Sequence, residues 1–134
     1  MNRNLVLQGT SLLSILLASF HLVDDLLYGS DKSVAVSLLM AVILAVWLYG
    51  TLAMAERAAG QVVMLLGALL GLTVFMTHLT GTGGLAGREI GKLSGTFFFV
   101  WTLLALAVVS LLSFTVSAYG LWNLLRTRSG VDSR

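Results

Sequence analysis

The chain has 134 residues, 57% of them hydrophobic and 10% charged, a net charge of +2, and a mean hydropathy of +0.95. A soluble domain carries about 25% charged residues, so this composition excludes a water-solvated surface. No basic stripe interleaved with aromatics marks nucleic acid as a partner, and zero cysteines exclude disulfides, thiolate metal ligands, iron–sulfur clusters and cysteine nucleophiles.

Four runs of roughly 20 or more mostly apolar residues fill most of the length. They predict an all-α fold, a single integral membrane domain over residues 1–134 built as a four-helix transmembrane bundle. With no proline, kinks fall to glycine or serine.

The first predicted helix covers residues 5–28. Arg3 and the apolar core after it look like the start of a signal peptide, but Ala18-Ser19-Phe20 lacks the small residue wanted before a cleavage point, so the segment reads as a retained helix. Near its end stands Phe20-His21-Leu22-Val23-Asp24-Asp25. Gly29 suits a C-terminal stop, and Ser30 or Asp31 suits the cap of the next helix. The short turn predicts that helices one and two are antiparallel neighbours.

The second segment, 34–55, has no ionisable residue before Glu56 and Arg57 and reads as structural. Trp47 and Tyr49 near its end suit a membrane interface. In the third segment, 61–80, the seven, four and seven spacing of Gly60, Gly67, Gly71 and His78 places them on one stripe. Gly67 and Gly71 form a small-xxx-small pair that admits a close helix neighbour, so His78 is expected to face a helix rather than lipid.

Residues 81–95 hold a glycine-rich run that lacks the Gly-Lys-Ser/Thr and the preceding strand of a phosphate loop. It reads as a connection or short interfacial helix over the bundle mouth, with Arg88 or Glu89 able to reach back to His78. The fourth segment, 96–125, carries Ser110, Ser113, Ser117 and Gly120 at three- and four-residue spacing, a second packing face. Trp122, followed by Arg126 and Arg128, reads as an interfacial anchor.

Loop charge sets the expected orientation. With the N-terminus inside, Arg3, Arg57, Arg126, Arg128 and Arg134 are cytoplasmic, and Lys32, Arg88 and Lys92 are outside. The positive-inside rule then favours an up-down-up-down bundle with both termini in the cytoplasm. His21, Asp24, Asp25 and His78 lie toward the outer face.

Ionisable residues inside a membrane segment mark functional sites by default. Asp24 and Asp25 follow His21 at i+3 and i+4, so one helix face offers a nitrogen and two carboxylates. At 1.5 Å per residue, His21 lies ~24 Å from the inner start of its helix and His78 ~26 Å from that of its own. The two imidazoles are therefore expected to meet at similar height. Two His and two Asp form a ligand set for zinc, iron, manganese or divalent copper, with metal ligands His21, Asp24, Asp25 and His78. A metal with an open position would acidify a bound water and support hydrolysis, but no residue identifies a substrate or establishes an enzyme.

Other readings stand beside this one. The aspartates are solvated in the headgroup region and the histidines hydrogen-bonded, in a structural or accessory subunit of a larger membrane complex or a homo-oligomer. Alternatively, two histidines on different helices serve as axial ligands of a b-type haem, or an aspartate serves as the exchanging acid of a proton-coupled transporter.

The blocks Phe20-His21-Leu22-Val23-Asp24-Asp25, Met76-Thr77-His78-Leu79-Thr80-Gly81 and Ser94-Gly95-Thr96-Phe97-Phe98-Phe99-Val100-Trp101-Thr102 resemble a pattern in small bacterial four-helix membrane proteins of no assigned activity. The resemblance implies a bacterial inner-membrane location and carries no function.

Overall fold

All four apolar runs are α-helical in the computed structural model, which describes residues 3–28, 34–80 and 96–131 and, within them, omits the side chains of Asp25 and a few residues at helix ends. Helix α1 spans Arg3–Tyr28, α2 Val34–Ala53, α3 Ala58–Thr80 and α4 Thr96–Val131. Each contains a stretch long and apolar enough to cross a membrane: Asn4–Asp24, Val34–Ala53, Ala58–Leu79 and Phe98–Arg126.

Several boundaries differ from those that hydropathy predicts, for local reasons. Helix α2 ends at Ala53 instead of residue 55, because the chain turns where the Arg57 amide donates to the Met54 carbonyl at 2.9 Å. Helix α3 begins three residues early, at Ala58, where the Gln61 amide donates back to the Arg57 carbonyl at 3.1 Å. Helix α4 continues to Val131, since leucine and arginine sustain a helix after the apolar run has ended. The expected cap at residues 29–31 and the glycine-rich connection, with Arg88 and Glu89, lie outside the described residues.

Helix α4 packs most extensively against α3 and α1, α2 bridges α1 and α3 without approaching α4, and α1 and α3 also meet each other. Small residues permit these approaches. A Cβ at Gly67 would collide with the Trp47 indole, one at Gly71 with the Ser110 hydroxyl, and one at Gly50 with Val63. The two small-residue stripes read from the sequence are thus the helix contacts themselves.

The interior is unusually polar. Ser11, Ser14, Thr51, Gln61, Ser110, Ser113 and Ser117 are buried, whereas Leu5, Leu38, Val42, Leu66, Val108 and Leu111 are exposed. Where α1 meets α2, three side chains close a hydrogen-bonded ring. The Trp47 indole donates to Ser11 Oγ at 2.9 Å, and Thr51 donates its only hydroxyl proton to the Trp47 carbonyl at 2.9 Å. The 2.7 Å contact between Ser11 and Thr51 must then have Ser11 as donor.

That ring corrects one reading. Trp47 is 2% exposed and belongs to the core, not to an interface. Its indole fills the space that Gly67 leaves open, and its N–H is satisfied by Ser11, so burial costs it no hydrogen bond. Tyr49, two residues on, is exposed.

Candidate functional site

Above the Trp47 ring the helices separate into a cleft of about 350 Å³. Helix α1 contributes Ala18, His21, Leu22 and Leu26, α2 contributes Val36, Ser37, Met40, Leu44 and Trp47, and α3 contributes Leu70, Gly71, Val74 and His78. The α3 residues repeat at one-turn spacing, which is why a single stripe delivers both the close-packing Gly71 and the imidazole.

His21 and His78 meet there. Their ring centroids are 4.5 Å apart and their planes 87° apart. Phe99 of α4 packs against both, at 5.1 Å from His21 and 5.5 Å from His78. His21 is buried and His78 half-buried. The expected meeting of the two imidazoles at one height is realised, and the third ring is the feature that single-helix periodicity did not reveal. Its signal was the Phe97-Phe98-Phe99 block at the start of α4, whose facing direction only the register of α4 against α1 decides.

The tautomer of His78 follows from its neighbour. Its Nδ1 lies 2.8 Å from the Val74 carbonyl. A carbonyl can only accept, so Nδ1 carries a proton, and in the neutral ring the lone pair is on Nε2. Metal-bound histidines typically donate the other ring N–H to a carbonyl or carboxylate in this way.

The carboxylates divide. Asp24 is half-buried, with Oδ2 out of contact with solvent. Among the described residues no group of three His, Cys, Asp or Glu is placed to hold a metal ion. The Asp25 side chain lies outside the described residues.

No family model, curated protein or solved structure matches the chain. Its chemistry must be read from the site alone.

Two imidazoles on one small ion, with metal–nitrogen bonds of about 2.0–2.1 Å, put their ring centroids roughly 4.5 Å apart at a right angle, the spacing of this pair.

Proposed function

We propose that this protein is an integral membrane four-helix bundle that binds one divalent transition metal between α1 and α3, near the outer face. The observation that carries this reading is the His21–His78 ring pair at 4.5 Å, with the tautomer of His78 set by the Val74 carbonyl. Asp24 and Asp25 follow His21 at i+3 and i+4 in the sequence of α1 and are the carboxylates this reading assigns to the ion. Two imidazoles and carboxylates suit zinc, iron, manganese or divalent copper.

Apolar exterior, polar interior and four spans of sufficient length support membrane insertion. The pairs Gly50–Val63 and Trp47–Gly67 run in opposite sequence order along α2 and α3, as do Gly71–Ser110 and Gln61–Gly120 along α3 and α4. This order supports the up-down-up-down course. Arg126, stacked on the exposed Trp122 ring at 5.3 Å, suits a membrane interface, and the loop charges support both termini in the cytoplasm of a bacterial inner-membrane protein.

Elemental analysis of detergent-purified protein tests the reading. Near-stoichiometric metal in wild type, lost in both His21→Ala and His78→Ala, is the expected result. Protein that takes up no candidate ion from solution would refute it.

A further inference from the structure

Most hydroxyls on these helices bond to their own backbone. Thr10, Ser19, Thr73, Thr77, Thr102 and Thr115 each donate to a carbonyl three or four residues back. Ser14, Ser110, Ser113 and Ser117 do not. All four are fully buried, and their hydroxyls have no hydrogen-bond partner among the described residues. A helical serine always has a back-bond within reach, and a buried polar atom left unmade is costly. Four such hydroxyls together keep hydrogen-bonding capacity for a small polar guest.

A fifth group points the same way from a different helix. Gln61 of α3 is 1% exposed and donates its amide N–H to the Ala55 carbonyl at 2.8 Å. Its Oε1 has no partner among the described residues. That oxygen lies 2.6 Å from where a Cβ on Gly120 would stand, so it is aimed at the serine face of α4, one turn beyond Ser117.

We propose that Ser110, Ser113, Ser117 and Gln61 hold a file of water that carries protons between the His21–His78 cleft and the 54–57 connection. The proposal rests on the membrane reading above and is independent of the metal. Along α4 the steps from Ser110 to Ser113, Ser117 and Gly120 rise ~4.5, ~6 and ~4.5 Å. One bridging water spans about 5.5 Å between two oxygens, so single waters can link successive groups. The donors are neutral, which suits water and leaves a bare cation without compensation for its lost hydration.

Both ends of the file reach chemistry that can load it. Leu103 and Leu106 are fully buried on α4 between Phe99 and Ser110, so the route to the histidines runs along α3. Gly71 lines the cleft, and the Ser110 hydroxyl occupies the space its Cβ would fill. At the other end, the Ala55 carbonyl held by Gln61 adjoins the exposed Glu56. From the level of Phe99 to that of Gly120 the path is ~31 Å, about the thickness of a bilayer's hydrocarbon core. At each water and serine hydroxyl the oxygen accepts a proton on a lone pair and releases its own to the next, so no bond order changes; Gln61 Oε1, an acceptor only, holds a water of the file in place.

The test is proton flux into phosphatidylcholine–phosphatidylglycerol vesicles loaded with a pH-sensitive dye, driven by a potassium diffusion potential, with chelator present throughout. Flotation of the vesicles reports insertion separately. Wild type should acidify or alkalinise the lumen faster than protein-free vesicles, and Ser113→Val, which fills the file, should fall to the protein-free rate while floating normally. Inserted wild type with no added flux, or Ser113→Val with undiminished flux, would overturn the proposal. Should Ser113→Val fail to insert, the triple variant Ser110→Ala, Ser113→Ala, Ser117→Ala replaces it, since it only removes atoms. Its flux should vanish and its Tm fall, because hydrated hydroxyls are being lost; a raised Tm or unchanged flux marks the hydroxyls as dry and sinks the idea. Protein that does not float with vesicles refutes the membrane reading, and with it this path, and leaves the metal analysis to stand on its own result.

Discussion

Trp47 shows how one residue's role is decided by three others. A tryptophan near the end of an apolar segment has the same appearance in sequence whether it anchors an interface or fills a core. What distinguishes the cases is Ser11 on α1, Thr51 one turn on, and the missing side chain at Gly67. None of these is visible in the periodicity of α2 alone. Ser11→Ala should leave the buried Trp47 N–H without a partner and remove the donor to the Thr51 hydroxyl oxygen, lowering stability by about 1–3 kcal/mol. Unfolding in mixed detergent, followed by the emission of the one buried tryptophan among three, measures this. A Ser11→Ala protein as stable as wild type would mean that the ring contributes nothing. His78 is the counterexample, legible in advance, because the glycines two and three turns before it already marked its stripe as a packing face.

At the scale of the element, hydropathy located all four helices, but their ends followed hydrogen bonding and propensity instead. The turn at residues 54–57 is made by backbone bonds and by Gln61 reaching back to Ala55, which no apolar count registers. Close packing was more legible, since small residues at three- and four-residue spacing have few other uses in an apolar helix. Gly67→Val is expected to push α3 off the Trp47 indole and destabilise by roughly 1–3 kcal/mol, the usual range for overpacking. The same change at Gly9, where a Cβ meets nothing within 4 Å, should leave the detergent-unfolding midpoint nearly unchanged. Equal effects at the two glycines would remove the packing argument for α2 and α3.

For the whole molecule, the meeting of His21 and His78 followed from arithmetic on two helices that run the same way, whereas the share of Asp24 and Asp25 in the site did not. A carboxylate at i+3 and one at i+4 straddle the direction of His21, and the sequence alone does not choose between them. Topology has a direct check, because the chain has no cysteine and any introduced one reports alone. Glu56→Cys should react with a membrane-impermeant maleimide only after cells are permeabilised, and Lys92→Cys in intact cells. The reverse pattern would invert the bundle and move the histidine site to the cytoplasmic face.

The central claim is that His21 and His78 share one ion, and a metal-affinity cycle over wild type, His21→Ala, His78→Ala and the double variant tests it most directly. Residues that act on one ligand are not additive. Each single variant should lose most of the wild-type affinity for zinc, and the double variant should lose little more. Losses that add, or a wild type that binds zinc no better than the double variant, would contradict a shared site.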